Sequence, residues 1–247
     1  MREEKKHQKL VKKLNKLSRK NPGPFIRWLI DAEQIPEDDI EEDCLGVINL
    51  IKKCKQEIFN KLVKDKKSFE LYNEIQKGFK RGDIIKNKAF QKTYKRFYRL
   101  GRNFGDKLSK RYFELLQRRE GNIEKILIEL SKIKGSNNKF SVWLAFASKL
   151  IHTIDNNQPI YDSRVAKILN IKSNYNIKGI DRRINDRLVT YDLLKKKFGE
   201  ILANQEIKRI IHNFKKRLEV NINNVKMLDF ILWKLGDMVI KTKKSKN

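Results

Sequence analysis

The sequence predicts an all-α protein. Apolar residues recur at helical spacing along the chain, and no stretch shows the alternation that is typical of a β-strand. The chain contains four prolines, and none lies between Pro36 and Pro159, so nothing in that span forces a helix to break. Short polar segments separate the apolar ones, which indicates a bundle-like body of helices joined by short connections.

The helices can be placed in chain order from this spacing. We expect a basic helical region over residues 1–80, the main helical body over 81–240 and a disordered basic tail over 241–247. The residues at 79–88 are polar and predict a linker or loop. The predicted helices span residues 2–20, 25–34, 36–63, 68–77, 89–100, 106–119, 122–133, 139–154, 163–171, 183–204, 205–220 and 224–240. Residues 228–235 are strongly apolar, so we expect them to be buried.

The net charge of the chain limits the classes of partner that it is expected to bind. The 247 residues include 58 Lys and Arg against 30 Asp and Glu, a net charge of +28. An excess of this size does not specify a fold, but it favours a polyanionic partner. Basic residues interleave with aromatic ones, which favours nucleic acid. No long apolar run or basic amphipathic anchor is evident, so we expect no membrane association.

Neither metal nor disulfide chemistry is indicated by the sequence. Cys44 and Cys54 do not form a CxxC arrangement, and the three histidines, His7, His152 and His212, are scattered. No set of Cys and His has the spacing of a zinc or iron–sulfur site. We therefore expect no metal and no cofactor. No apolar signal segment opens the sequence, so we expect a cytoplasmic protein with reduced thiols.

A carboxylate lies at the junction between two predicted helices. Asp162 follows Pro159 and directly precedes the basic helix predicted from Ser163. Aspartate is a favoured helix N-cap, and such a cap contributes about 1 kcal/mol. Capping alone is therefore one sufficient reason for Asp162, and it is compatible with a second role.

The same junction resembles the catalytic loop of the helix-hairpin-helix DNA glycosylase superfamily, which includes endonuclease III and the adenine glycosylases. The family loop has the form P-[IV]-x-D-[GST]-x-[VI], which Pro159, Ile160, Asp162, Ser163 and Val165 match. The resemblance implies a compact multi-helix fold of that superfamily. It also implies an enzyme that flips a base out of double-stranded DNA and hydrolyses its N-glycosidic bond, with Asp162 as the catalytic residue.

The resemblance has two departures. The specific match covers residues 134–169. The first departure is in the hairpin, which in the family usually reads L-P-G-[VI]-G. Residues 133–141 contain one glycine and no proline. The hairpin is therefore diverged or replaced by a loop. Bifunctional members carry a lysine at the start of the second hairpin helix, and that place falls near Ala145. Lys149 lies one turn later, so the resemblance implies a monofunctional enzyme, with Lys149 as a second candidate for a catalytic role.

The chemistry of base excision predicts what should surround Asp162. Breaking the bond builds positive oxocarbenium character on the sugar, which a fixed carboxylate can stabilise while it orients or deprotonates the attacking water. A flipped base needs a pocket with aromatic walls. Trp143, Phe146 and Tyr161 are the nearest aromatic residues in the sequence, and His152 could contact the base or a phosphate.

Contacts with the DNA backbone are predicted on three segments. The turn at 134–139 either presents backbone N–H groups to a phosphate at the start of a helix from Lys139 or forms a plain interhelical turn. The basic residues of 94–105 remain available for phosphate once their aromatic neighbours face the core. The predicted DNA-binding residues are Gly135, Ser136, Asn137, Asn138, Lys139, Ser163, Arg164, Arg99 and Arg102.

Three functions stay open at this point. The first is a monofunctional DNA glycosylase, a monomer near the nucleoid that acts in repair or phage defence. Its base is open among oxidised purines, alkylated purines and hypermodified cytosines. The second is a non-catalytic helical nucleic-acid-binding protein in which Asp162 is a helix cap. The third is an adaptor for an acidic protein partner.

Overall fold

The computed structural model describes residues 44–101, 104–135, 138–172 and 177–244, with side chains as far as Met238. Over these residues the chain forms eleven helices and no strand, so the all-α prediction is confirmed. The helices are α1 (Cys44–Lys53), α2 (Lys55–Val63), α3 (Lys66–Arg81), α4 (Lys88–Phe97), α5 (Asp106–Gln117), α6 (Ile123–Ser131), α7 (Leu144–Ile154), α8 (Ser163–Ile168), α9 (Ile180–Ala203), α10 (Gln205–Leu218) and α11 (Asn224–Lys244). No helix in this part of the chain is both long and apolar enough to cross a membrane.

The largest departures from the predicted helices occur in two places. The single helix predicted over 36–63 is wrong, because the backbone leaves helical geometry at Cys54 and separates α1 from α2. The helix predicted from Lys139 begins instead at Leu144. Apolar residues before Leu144 continue the helical spacing, but the N–H of Gly135 donates to the carbonyl of Lys139 at 3.0 Å and closes a turn there.

One hydrophobic core joins helices on both sides of the boundary predicted at residue 80. The rings of Phe69 on α3 and Phe230 on α11 lie 4.6 Å apart between centroids, and those of Phe59 on α2 and Phe214 on α10 lie 5.2 Å apart. Residues 44–81 therefore pack with the later helices. The helices predicted over 2–20 and 25–34 lie outside the described residues, and so do the last three residues of the predicted tail.

Buried tyrosines hold α7 in place. The hydroxyl of Tyr94 on α4 lies 3.0 Å from Thr153 Oγ1 on α7 and 2.9 Å from the hydroxyl of Tyr112 on α5. Tyr112 donates in turn to the carbonyl of Phe146 at 3.1 Å. Burial raises the pKa of both phenols well above its ordinary value, so both remain hydrogen-bond donors. These bonds fix both ends of α7 against the core.

The short helix α8 lies directly against α11. A Cβ atom added to Gly236 would lie 2.9 Å from Cβ of Arg164, closer than real Cβ contacts allow. Glycine therefore permits the close approach of the two helices. Asp162, which directly precedes α8, is placed by this packing.

Candidate functional site

Asp162 is the N-cap of α8. Its backbone is extended, with φ −128° and ψ 145°, and its Oδ1 accepts a hydrogen bond from the N–H of Arg164 at 2.9 Å. This is the geometry of an N-cap, in which a side-chain oxygen satisfies a backbone donor of the first helical turn. The capping role is therefore present. It occupies one carboxylate oxygen, and the residue is half-buried rather than enclosed.

Asp162 also belongs to a cluster of charged groups. Lys149 on α7 is 8% exposed, and burial lowers its pKa, while the carboxylates of Asp162 and Asp229 oppose that change. Asp229 on α11 is buried, and burial raises its pKa despite the nearby ammonium of Lys226. The structure thus brings the two candidate catalytic residues, Asp162 and Lys149, within electrostatic reach of each other. We call these four residues the charge cluster.

The ion pair on α11 was missed by the sequence analysis. Lys226 Nζ donates to Asp229 Oδ2 at 2.7 Å, and both side chains are buried. Four aromatic rings surround the ammonium of Lys226 at 4.6–5.8 Å from their centroids: Tyr72, Phe97, Tyr98 and Phe230. One signal was available, since Lys226 and Asp229 are three residues apart in an otherwise apolar stretch. That spacing places both on one helix face.

Two of the predicted pocket residues form an aromatic stack. The rings of Trp143 and Phe146 are parallel within 1°, with centroids 5.2 Å apart. Lys149 Nζ lies 5.9 Å from the centroid of Phe146, so the stack adjoins the charge cluster. The indole Nε1 of Trp143 is buried with no hydrogen-bond partner among the described residues. Tyr161 is half-buried, and its backbone N–H donates to Ser148 Oγ on α7 at 3.0 Å.

His152 has a different environment from the one predicted. It is fully buried, its Nδ1 donates to the carbonyl of Gln158 at 2.6 Å, and its Nε2 accepts from the hydroxyl of Tyr72 at 3.1 Å. Burial lowers its pKa to about 3, with a smaller contribution from Lys226. The predicted contact with a base or phosphate is corrected, because both ring nitrogens are engaged inside the fold. His152 instead holds the loop that leads to Asp162.

Two predicted DNA-binding arginines meet on one indole ring. The guanidinium groups of Arg99 and Arg164 lie 4.9 and 4.4 Å from the ring centroid of Trp233 on α11. Arg164 also pairs with Asp237 at 3.4 Å, whereas Arg99 is exposed and adopts a positive φ of 49°. Ser163, beside them at the start of α8, is exposed. No local pattern in the sequence singles out Trp233, which brings these cations together next to Asp162.

The predicted phosphate contact at 135–139 lies on a turn rather than at a helix start. The N–H of Asn138 donates to the carbonyl of Gly135 at 2.9 Å, and Asn138 has a positive φ of 59°. Because α7 begins at Leu144, the helix start predicted at Lys139 is wrong. Asn138 and Lys139 are exposed, and Gly135 is buried. Ser136 and Asn137, like Arg102, lie outside the described residues.

Within the described ranges, no three His, Cys, Asp or Glu side chains converge in a group that could hold a metal ion. No family model, curated protein or solved structure matches the chain.

Proposed function

We propose that the protein is a monofunctional DNA glycosylase that flips a damaged or modified base out of the duplex and hydrolyses its N-glycosidic bond. The observation that carries the proposal is the position of Asp162. This half-buried carboxylate stands at the start of a basic helix, within the charge cluster and next to the arginines on Trp233. The charge of the chain supplies affinity for DNA, and the carboxylate supplies the chemistry.

Asp162 would act on the sugar rather than on the base. As the N-glycosidic bond lengthens, positive charge develops on the anomeric carbon and its ring oxygen, and a fixed carboxylate lowers the energy of that state. The capping bond from the N–H of Arg164 fixes the carboxylate before the substrate arrives. The same carboxylate can orient a water for attack at the anomeric carbon and accept its proton. The products are a free base and an intact abasic site.

Lys149 is the second candidate in the site. Because burial lowers its pKa, the neutral amine that a nucleophile requires is easier to form than in water. An amine that attacked the sugar would add a strand-cleaving activity to base excision. Lys149 does not lie where the resemblance places the lysine of bifunctional enzymes. We therefore assign hydrolysis to Asp162, and in this proposal Lys149 forms no covalent bond with the sugar.

Arg99, Arg164 and Ser163 would hold the phosphates next to the flipped nucleotide. Guanidinium groups bind phosphate with paired, charge-assisted hydrogen bonds, and stacking on Trp233 limits how far the two arginines move. The stacked rings of Trp143 and Phe146 are the candidate wall for the extruded base.

The capping bond of Asp162 also favours a second function, that of a non-catalytic DNA-binding protein. Asp162 Oδ1 is directed to the N–H of Arg164, as a plain helix cap requires. A non-catalytic DNA-binding protein would need this bond and nothing more from Asp162. The two functions differ in whether the carboxylate has a chemical effect beyond capping.

The experiment that tests the proposal is a base-excision assay. The protein is incubated with duplexes that each contain one oxidised purine, alkylated purine or modified cytosine, and hot alkali then cleaves any abasic site. We expect cleavage of at least one duplex by the wild type. Asp155→Asn is a matched control for the Asp162→Asn variant. Asp155 lies in the same loop, and its Oδ1 likewise accepts from a backbone N–H, that of Asn157. Wild-type protein that binds these duplexes and leaves every one intact would support the non-catalytic function.

A further inference from the structure

A basic groove lies apart from the arginines on Trp233. It has a volume of about 660 Å³ and lies between α3, the last residues of α10 and the segment 221–223. Three lysines line it, Lys77, Lys80 and Lys215, together with five Asn or Gln side chains, and no described lining residue is acidic. Lys77 and Lys80 are exposed on α3. We call this the amide groove.

One residue that lines the amide groove carries an unsatisfied donor. Gln76 lines it, and the Nε2 of Gln76 is buried with no hydrogen-bond partner among the described residues. A buried polar group left without a partner costs about 1–3 kcal/mol. An oxygen acceptor bound in the groove would remove that cost. Three cations and amide donors without a carboxylate form a site for an anion that is rich in oxygen, such as a phosphate group.

The amide groove is connected to the loop that carries Asp162. The hydroxyl of Tyr72, which lines the groove, donates to His152, and Nδ1 of His152 donates to the carbonyl of Gln158 in that loop. On the other rim, the side-chain amide of Asn223 donates to Oδ1 of Asn156 at 3.0 Å. The two rims therefore hold the same loop from two sides.

The groove also lies within reach of the DNA that would occupy the site. Asn156 and Asp162 are six residues apart, and a fully extended chain of that length spans at most about 20 Å. One strand of duplex DNA rises about 3.4 Å per nucleotide. Asn156, on the rim of the groove, is thus no more than about six base steps from Asp162.

We propose that the amide groove is a second phosphate-binding subsite, which holds a backbone phosphodiester of the DNA strand on one side of the flipped nucleotide. Lys77 and Lys80 neutralise the phosphate, and the Nε2 of Gln76 donates to one of its oxygens. The inference rests on the DNA-binding part of the proposed function and does not require that Asp162 be catalytic. A free nucleotide or inorganic phosphate would offer the same chemistry, so the test includes both.

The first test removes charge from the groove. Lys77→Gln with Lys80→Gln is compared with Lys107→Gln with Lys110→Gln, an exposed pair on α5 that has the same spacing and loses the same charge. Affinity for a fluorescent duplex is measured by anisotropy across salt. Each lost phosphate contact should reduce the slope of log K against log salt by about 0.9. We expect the groove variant to bind about tenfold more weakly at low salt, with a slope shallower by about 0.9, and the control to stay close to wild type.

The second test separates ligand binding from folding. Gln76→Leu removes the buried donor, so its stability in urea should equal or exceed that of wild type, while affinity for the duplex falls several-fold. A structural role for Gln76 predicts the opposite pair of results. Lower stability with unchanged affinity would therefore contradict the inference.

The remaining outcomes are each decisive. If both lysine variants lose the same affinity, the net charge and not the groove binds DNA, and the inference fails. If the groove variant binds duplex normally but loses a measurable affinity for adenosine monophosphate or inorganic phosphate, the groove takes a free phosphate and the DNA subsite is wrong. If wild type excises bases while the groove variant binds DNA normally, this inference fails and the proposed function stands. If the groove lysines matter for DNA while no base is excised, the inference stands and the glycosylase proposal fails.

Discussion

Replacing Asp229 with leucine is expected to destabilise the fold strongly. The substitution leaves the ammonium of Lys226, which is 3% exposed, without the carboxylate that now lies 2.7 Å away. Breaking a buried ion pair by removing one partner costs about 3–5 kcal/mol, because the remaining charge stays buried and unpaired. The rings around Lys226 offset part of this cost, at about 0.5–2 kcal/mol for each favourable cation–π contact. We therefore expect a loss near the lower end, about 3 kcal/mol.

The double variant distinguishes an unpaired charge from lost packing. Lys226→Met with Asp229→Leu removes both charges and keeps apolar volume, and such replacements are often neutral or stabilising. Unfolding free energies are measured by urea titration with circular dichroism. In a domain of this size about 1 kcal/mol shifts Tm by about 2–4 °C, so Asp229→Leu should melt about 6–12 °C lower and the double variant near wild type.

A surface ion pair provides the matched control. Lys195 and Asp192 on α9 are also three residues apart at 2.7 Å, but both are exposed. Exposed pairs contribute about 0–1 kcal/mol, so Asp192→Leu should be close to neutral. An Asp229→Leu protein within about 1 kcal/mol of wild type would refute the reasoning, as would a double variant less stable than Asp229→Leu alone.

Three further predictions concern DNA affinity, Lys149 and His152. Affinity for duplex DNA should fall steeply between about 50 and 200 mM salt, as anisotropy would show, and a flat response would exclude the nucleic-acid function. Borohydride should trap no covalent complex with DNA, whereas an adduct that disappears in Lys149→Ala would show that the enzyme is bifunctional. Burial holds the folded-state pKa of His152 at about 3, below its ordinary 6.5, so the unfolded state binds the proton first as pH falls. The stability contributed by His152 should therefore be present above about pH 6.5 and fall by about 2 kcal/mol by about pH 5, and urea titrations of His152→Gln should show a smaller loss.

Local patterns predicted the helices well where capping and apolar spacing agree. Asn122 accepts from the N–H of Lys125 and Asn204 from the N–H of Glu206, and α6 and α10 begin directly after these residues, within one residue of the starts predicted at 122 and 205. The start of α7 was not predictable from spacing alone. Apolar residues ahead of Leu144 keep the helical period, while a turn closed by the Gly135 N–H and the Lys139 carbonyl interrupts the helix.

The candidate site was predictable as far as it is local in sequence. Asp162 as a cap followed from its position before a basic helix, and the Trp143–Phe146 stack follows from residues three apart. The contributions of α11 were not predictable, because they depend on how a distant helix packs against α7 and α8. The spacing of Lys226 and Asp229 places them on one helix face but does not indicate that this face lies against Lys149 and Asp162.

For His152, a local pattern predicted a DNA contact that tertiary packing prevents. Its position next to the loop suggested contact with DNA, yet Tyr72, eighty residues earlier, and the carbonyl of Gln158 occupy its ring nitrogens. A single histidine near a candidate site does not reveal whether tertiary packing will enclose it. That information lies in the arrangement of α3 and α7, which no local pattern encodes.

The most direct test of the central claim is base excision by Asp162→Asn. Asparagine and aspartate are similar N-caps, so the variant should keep the bond to the N–H of Arg164 and a near-normal Tm. Removing a negative charge next to DNA should leave affinity unchanged or higher. Loss of one preorganised charged group typically costs about 10²–10³ in rate, so excision should fall at least about a hundredfold. The contradicting result is excision at the wild-type rate in Asp162→Asn together with lower stability in Asp162→Ala, which would leave Asp162 a helix cap alone.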